Sequence, residues 1–191
     1  MVKLPISREV QSDADKTYVL VAKLKVDGQE VSALVDTGSS YTFLIWKYWY
    51  EVTERKRCDE MVYRCYECNP GPCEVGPTTE VPFEDGAAVT MFERPGQLQL
   101  ADASSTSFTF GLTSAYKYTP GYSTTHAGLG LGLKRKPRSS FDTFVDQLSS
   151  QKLIGSRDFS MYLTAGDHHT GQLILGGEDP RLYETPMSFL A

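Results

Sequence analysis

The sequence predicts an all-β lobe of packed antiparallel sheets with one or two short helices. Short runs of β-branched and aromatic residues recur along the chain, and turns rich in Gly, Asp and Thr separate them, which is typical of sheet proteins. Residues 139–151 are the one stretch with clear helical periodicity. A length of 191 residues suits a single domain with its own hydrophobic core.

Composition and charge exclude several classes of function. Hydrophobic residues make up 40% of the chain and charged residues 23%, as in ordinary globular domains. The formal net charge of −5 gives no general attraction to nucleic acid, and the basic runs at residues 55–57 and 134–138 are interpreted as solvated loops. No apolar run approaches membrane-spanning length, so no membrane span is expected. No signal peptide is recognisable, so a secreted form would need targeting and propeptide segments outside this sequence.

The first predicted elements form a hairpin. Residues 1–16 are polar and are expected to lie loosely on the surface or to form an edge strand. Residues 18–26 and 31–35 are β-prone and are predicted to be two strands. Asp27 and Gly28 between them predict a tight turn.

The middle of the chain is aromatic and then irregular. Residues 41–50 contain six aromatic side chains, which indicates core or pocket wall. Residues 51–79 are expected to be an irregular insertion that carries all the cysteines. Residues 80–93 predict a second hairpin with Gly86 near its tip.

Further strands and a glycine-spaced segment follow. Residues 97–101 and 107–112 predict two short strands, and residues 113–125 predict a loop. Residues 128–132 alternate Gly and Leu. This segment lacks the lysine and hydroxyl that end a phosphate-binding loop, so nucleotide binding is not expected.

The predicted helix and two final strands complete the lobe. Ser139 or Ser140 is the expected N-cap of the helix over residues 139–151. Strands are predicted at residues 159–164 and 172–175. The apolar positions of the helix share one face and are Phe141, Phe144, Val145 and Leu148.

The second predicted strand delivers a carboxylate into a small polar turn. Asp36 follows the hydrophobic run, and Thr37, Gly38 and Ser39 come directly after it. A bare Asp-Thr-Gly is equally compatible with an ordinary turn. The longer string Leu-Val-Asp-Thr-Gly-Ser-Ser is much more specific and presents an acid at the end of a buried strand where it stays reachable.

This string at residues 34–40 resembles the active-site motif of the pepsin-like aspartic peptidases. Other segments are similar to that family in the right order. Residues 81–87 match its substrate-covering flap, and residues 127–132 match its hydrophobic-hydrophobic-Gly segment. Residues 159–163 and 171–180 are similar to the sequence that closes its N-terminal lobe.

The resemblance implies that residues 1–191 are the single N-terminal lobe of a bilobal peptidase. Asp36 would be one of two catalytic aspartates, and a C-terminal lobe, from the same gene or a separate chain, would supply the other. Thr37 would make the buried interlobe hydrogen bond, Gly38 would let backbone and water approach, and Ser39 would bond to the outer oxygen of Asp36. The substrate would be a peptide or protein cleaved at acid pH, and no cofactor or metal is implied.

The flap hairpin is expected to cover the substrate, although its sequence departs from the family pattern. Phe83 stands where a tyrosine is usual, so the covering ring has no hydroxyl to donate. Phe43 stands where a tryptophan is usual, and the usual Gly-Ser at the flap tip is Gly-Ala. The residues expected to bind substrate are Phe83, Glu84, Asp85, Gly86, Ala87 and Phe43.

Two alternative functions stay open, the first because of these departures and the second because the sequence contains a single Asp-Thr-Gly. One alternative is a catalytically inactive pepsin-like module that binds or interacts without cleaving. The other is a homodimeric peptidase in which two copies of Asp36 form the catalytic pair across a twofold axis.

The cysteines and histidines carry two further predictions. The cysteines cluster, so they favour two disulfides, with a four-cysteine zinc site as the alternative. His126, His168 and His169 are not expected to form a metal site. Disulfides and the resemblance together favour a secreted protein or one in an acidic vesicular or vacuolar compartment. The cysteines are Cys58, Cys65, Cys68 and Cys73.

Overall fold

A computed structural model of the chain describes residues 1–12, 17–100, 105–119, 124–134, 141–165 and 169–184. Some sequence-based expectations lie outside the described residues. They concern the helix caps at Ser139 and Ser140, the basic residues after 134, and His168.

The described residues form one large sheet. Its order is β5-β6-β7-β4-β8-β3-β2-β1-β10-β9. The strands, numbered along the chain, are β1 (Val2–Ser12), β2 (Thr17–Val26), β3 (Gln29–Asp36), β4 (Phe43–Ile45), β5 (Thr78–Pro82), β6 (Ala88–Gln99), β7 (Ser105–Lys117), β8 (Gly128–Gly130), β9 (Phe159–Leu163) and β10 (Thr170–Leu175).

The sheet folds back on itself instead of separating into packed sheets. The far end of β6 pairs with β2, where Gln99 lies opposite Lys25 and Leu98 opposite Val26. β6 is twelve residues long, so it can pair with β7 along its length and still reach β2. The all-β prediction is confirmed, and the strands form one continuous folded sheet. Large side chains that fill the fold include Tyr63, Tyr66, Phe43, Phe92, Phe108, Phe110 and Phe144.

The N-terminal segment is an interior strand, so the prediction of a loose segment or an edge strand is wrong. β1 pairs antiparallel with β10 on one side and with β2 on the other. Leu4 and Ile6 are buried, and their period of two gives β1 one core-facing side. Pro5 between them and the polar residues that follow Ile6 hid this pattern in the sequence.

β6 and β7 are longer than predicted because Pro95 and Gly96 do not end a strand. Pro95 lies opposite Thr109 within the continuous pairing of β6 with β7. A Cβ on Gly96 would lie 2.7 Å from Asp27 Oδ2 and 3.1 Å from the Phe110 ring. The glycine therefore serves a close approach between strands. β7 also extends through the first residues of the expected loop, to Lys117.

Helix α1 spans Phe144–Ser150 and begins later than predicted. Thr143 is its N-cap, and its hydroxyl oxygen accepts a hydrogen bond of 3.1 Å from the Asp146 N–H. Gln147 fixes the helix to the sheet, because its side chain bonds to the backbone N–H and C=O of Thr109 at 2.7 and 2.8 Å. The predicted apolar face is confirmed for Phe144, Val145 and Leu148, which are buried.

The cysteine-bearing insertion lies between β4 and β5 and is irregular, as predicted. It begins with a π-helical turn at Trp49–Thr53 and contains a 3₁₀ turn at Cys58–Glu60. An isolated bridge between Trp46 and Tyr66 joins it to the end of β4. Within the described part of the chain, no helix has the length and apolar character needed to cross a membrane.

Candidate active site

The parallel pairing of β3 with β8 brings the Asp36 turn and the glycine-spaced segment together. Asp36 is the last residue of β3 and lies opposite Gly130 of β8. The Leu131 N–H donates to the Asp36 carbonyl oxygen at 2.8 Å. The Asp36 side chain is partly buried. The backbone pairing therefore fixes where the carboxylate leaves the sheet.

The turn after β3 orients the Asp36 carboxylate. The N–H groups of Gly38 and Ser39 both donate to Asp36 Oδ1, at 2.8 and 3.2 Å. The Ser39 hydroxyl instead accepts a bond of 3.1 Å from the Tyr41 N–H. Ser39 thus contacts the carboxylate through its main chain. Thr37 is exposed.

The glycine spacing of β8 is a consequence of how closely it passes this turn. A Cβ on Gly130 would lie 2.4 Å from the Tyr41 carbonyl oxygen, and one on Gly132 would lie 2.9 Å from the Ser39 carbonyl oxygen. The Gly132 N–H also donates to the Ser39 carbonyl at 2.8 Å. Any side chain at Gly130 would push the turn away, and with it the N–H donors on Asp36.

The predicted flap hairpin is present. β5 and β6 pair up to Pro82 and Ala88, and residues 83–87 form the connecting loop. The Phe83 N–H donates to the Ala87 carbonyl at 2.8 Å, and the Ala87 N–H donates to Asp85 Oδ1 at 2.9 Å. The Asp85 side chain therefore holds the loop together from within.

A cavity of about 430 Å³ lies between the Asp36 turn and the flap. Five of the predicted site residues line it, and five others do not: Thr37, Asp85, Gly86, Ala87 and Phe43. A larger cavity of about 750 Å³ lies between β1, β2 and residues 59–64 and includes no predicted site residue. The lining residues of the smaller cavity are Asp36, Gly38, Ser39, Ser40, Tyr41, Glu80, Val81, Pro82, Phe83 and Glu84.

Phe83 packs into a cluster of rings beside the cavity. Its ring centroid lies 6.2 Å from that of Phe43, 6.5 Å from that of Tyr116 and 5.1 Å from that of His126. Phe43 therefore supports the flap through Phe83, although Phe43 does not itself line the cavity. Sequence reasoning missed Tyr116 and treated His126 as an ordinary loop residue, because nothing in a linear sequence marks a residue that the fold brings to the flap.

His126 is partly buried and its environment opposes its protonation. Burial lowers the pKa of His126, and the Thr124 carbonyl and the carboxylates of Asp36 and Asp85 act in the opposite direction. Its Nδ1 lies 3.0 Å from the Tyr116 hydroxyl and 3.3 Å from the Thr124 carbonyl oxygen. A neutral imidazole can satisfy either contact, as acceptor from the first or donor to the second.

A second tyrosine ties this region to the π-helical turn. The Tyr118 hydroxyl donates to Glu54 at 3.0 Å and lies 2.6 Å from the Thr125 hydroxyl. The Lys56 ammonium lies 4.9 Å from the centre of the Tyr118 ring, within cation–π range. Burial raises the pKa of Tyr118, so its hydroxyl stays protonated and keeps donating.

The four cysteines form two disulfides, Cys58–Cys65 and Cys68–Cys73. Their Cα–Cα separations are 5.5 and 5.3 Å, within the normal range for a disulfide. All four sulfurs are bonded in pairs, which overturns the zinc alternative. The described residues contain no group of three or more His, Cys, Asp and Glu side chains that could hold a metal ion.

Comparison with known proteins adds a family and two relatives. The profile of the family described as eukaryotic aspartyl protease matches residues 17–190. A stretch of 61 residues is 38% identical to plasmepsin IV from each of two isolates of Plasmodium falciparum. This stretch covers 32% of the chain and 14% of each relative's length. The match therefore spans only a small part of each relative.

Proposed function

Because the chain belongs to the eukaryotic aspartyl protease family, we propose that it is the N-terminal lobe of an aspartic endopeptidase. Asp36 is the catalytic carboxylate that this lobe contributes. One observation carries the proposal: Asp36 ends β3, an interior strand of the sheet, and lines a cavity of about 430 Å³ beneath a hairpin. A peptide lying in that cavity would be held between the carboxylate and the flap.

The reaction needs a second carboxylate that shares a proton with Asp36. Two like charges a few ångströms apart cannot both ionise easily, so one acid is ionised and the other protonated. The ionised acid removes a proton from a water molecule bound between them, and the protonated acid donates to the carbonyl oxygen of the scissile peptide. The water oxygen adds to the carbonyl carbon and gives a tetrahedral intermediate. The C–N bond then breaks, and the leaving nitrogen takes the proton that the first acid had removed from water.

A C-terminal lobe supplies the second aspartate in this proposal. The other carboxylates that line the described cavity, Glu80 and Glu84, belong to the covering hairpin. Thr37 is exposed beside Asp36 and is available for a hydrogen bond to the partner lobe. The outer strand β9 leaves Met161 45% and Leu163 43% exposed, which supports a partner surface at that edge of the sheet.

The flap contributes shape more than hydrogen bonding. Phe83 lines the cavity and rests on Phe43 and His126. Its ring can exclude water from the scissile bond, which strengthens the electrostatic interactions there. Its lack of a hydroxyl leaves the carboxylates and their water to make the polar contacts with the reacting atoms.

The disulfides support the proposed compartment. Two disulfides close short loops in the insertion, and such bonds persist in oxidising compartments. We therefore propose that the enzyme is secreted or acts in an acidic vesicular or vacuolar compartment, where an acid-dependent peptidase would also find its working pH.

The test is acid-pH cleavage of a peptide library by the full-length protein and by its Asp36→Asn variant. Asn keeps the shape and cannot serve as base or acid, so we expect kcat/KM to fall by about 1,000-fold or more. The matched control is Asp59→Asn, which removes an exposed carboxylate and should leave activity near the wild-type value.

Three outcomes would contradict the proposal. Unchanged cleavage by Asp36→Asn would remove Asp36 from the reaction. Absence of cleavage together with peptide binding would favour an inactive binding module. Activity that rises with the square of protein concentration would favour a homodimer of Asp36 residues.

A further inference from the structure

His126 lies at the centre of rings that come from four separate parts of the chain. Phe43 belongs to β4, Tyr63 to the cysteine-bearing insertion, Phe83 to the flap and Tyr116 to β7. Their ring centroids lie 5.5, 6.4, 5.1 and 5.8 Å from that of His126. The imidazole therefore joins the flap to the strands beneath it.

The position of the imidazole is fixed by polar contacts as well as by packing. Its Nδ1 lies 3.0 Å from the Tyr116 hydroxyl and 3.3 Å from the Thr124 carbonyl oxygen. Thr124 is itself tied to β1, because Gln11 Nε2 donates to its hydroxyl at 2.5 Å and to the Tyr63 hydroxyl at 3.3 Å. Phe83 thus rests on a ring that the surrounding strands hold in place.

We propose that His126 is a positioning residue for the peptidase reaction: its neutral imidazole holds Phe83 of the flap over Asp36, and its protonation releases the flap. The effect of His126 on catalysis rests on the proposed function. The coupling between His126 and Phe83 is a property of the lobe itself and can be measured without any cleavage.

The groups that face the imidazole determine whether its protonated or its neutral form is favoured. Asp36 at the end of β3 and Asp85 in the flap are the charged groups acting on it, and both favour the protonated ring. Burial opposes protonation and is the largest influence. Tyr63 and Tyr116 face it as neutral hydroxyls, because burial raises their pKa values.

Protonation therefore places a poorly hydrated cation among apolar rings. A cation beside ring faces gains some attraction from them, and burial opposes protonation more strongly than the Thr124 carbonyl and the carboxylates of Asp36 and Asp85 favour it. The imidazolium can no longer accept from the Tyr116 hydroxyl, because both of its nitrogens are then donors. The ring can recover hydration by moving toward the cavity, and that movement removes the support beneath Phe83.

The first test follows catalysis by the full-length enzyme across the acidic range. His126→Phe keeps a ring under the flap and cannot take up a proton. We expect the kcat/KM of wild type to fall at low pH because His126 is protonated there. The fraction of optimal kcat/KM that remains at low pH should be about threefold or more larger in His126→Phe than in wild type. His169→Gln, which removes the ionisable ring of the histidine in the turn before β10, should follow the wild-type profile.

The second test follows the surroundings of Phe83 in the flap and does not depend on catalysis. 4-Fluorophenylalanine incorporated at Phe83 reports its surroundings through its fluorine NMR signal. We expect this signal to shift with pH at the same midpoint as the His126 ring signals, and to be independent of pH in that range in His126→Gln and His126→Phe. Asp85→Asn should keep the transition and lower its midpoint, since a carboxylate that favours protonation is removed.

The outcomes separate this inference from the proposed function. A Phe83 signal that does not follow His126, or that still titrates in both variants, overturns the coupling whatever the enzyme cleaves. A coupled signal in a protein that cleaves no peptide keeps the coupling and overturns only the peptidase. Coincident pH profiles of wild type and His126→Phe would overturn the catalytic role of His126.

Discussion

Gly130 is the residue on which the geometry around Asp36 depends most directly. Its backbone pairs with Asp36, and a Cβ there would meet the Tyr41 carbonyl oxygen at 2.4 Å. The atoms that this Cβ would meet all belong to the Tyr41 backbone, which cannot yield as a flexible side chain would. The small residue is therefore required by the turn that carries the Gly38 and Ser39 donors.

We expect Gly130→Ala to lower the free energy of unfolding by about 1–3 kcal/mol, the usual cost of forcing a methyl group into a packed site. Urea denaturation measures it. Gly155→Ala is the matched control, because a Cβ on Gly155 meets nothing within 4 Å and should change stability by less than about 0.5 kcal/mol. Equal effects of the two substitutions would contradict the close approach.

His126 makes the stability of the fold depend on pH. Its pKa in the folded chain is lowered by burial, whereas in the unfolded chain it is the ordinary value of about 6.5. Between these two values the unfolded chain binds more protons, so the free energy of unfolding decreases as pH falls.

We expect His126→Gln to lose less stability than wild type between pH 7 and the folded-state pKa, because glutamine takes up no proton. Urea denaturation at a series of pH values below about 6.5 measures the difference. The full wild-type stability should be present above that range. Parallel curves for the two proteins would show that His126 does not titrate differently on folding.

The sequence could identify Asp36 but not the ring cluster next to it. Asp36 and Ser39 belong to one local string, so their neighbours in space are also their neighbours in sequence. Phe83, Tyr116 and His126 come together only through the pairing of β6 with β7 and of β3 with β8. A single sequence carries no signal for such contacts.

At the scale of elements, the sequence predicted the existence of strands better than their ends. The hairpin of β2 and β3 and the final strands β9 and β10 are confirmed, because apolar runs and turn residues coincide there. β6 passes through Pro95 and Gly96, which sequence rules treat as a break. There the neighbouring strands supply enough pairing to override local propensity.

The start of α1 can be tested directly. The Thr143 hydroxyl accepts from the Asp146 N–H and donates to the Asp146 carboxylate at 2.9 Å. We expect Thr143→Ala to cost about 1 kcal/mol, because the first turn loses its cap. Thermal unfolding checks this, and Thr143→Ser, which keeps the hydroxyl, should recover most of the loss. Equal loss in both variants would mean that the methyl group matters and the cap does not.

At the scale of the whole molecule, the sheet leaves an apolar edge strand. Met161 and Leu163 in β9 are 45% and 43% exposed. If a C-terminal lobe covers this edge in the full-length protein, each side chain buries its remaining surface there. The edge then contributes to stability only when the second lobe is present.

We expect the double substitution Met161→Ser and Leu163→Ser to destabilise the full-length protein by about 1 kcal/mol per residue beyond its effect on the 191-residue chain. Denaturation of both forms, with and without the substitutions, gives the difference. An identical effect in the two forms would place the second lobe elsewhere.

The pairing of β1 with β10 has a consequence for synthesis. Val2 lies opposite Leu175, so β1 completes its pairing with one of its two neighbours only when more than 170 residues after Val2 have been synthesised. Such non-local pairing slows folding. Until then, β1 exposes an unpaired backbone edge open to association with other nascent chains. Chaperone dependence during translation is the expected cost of this chain order.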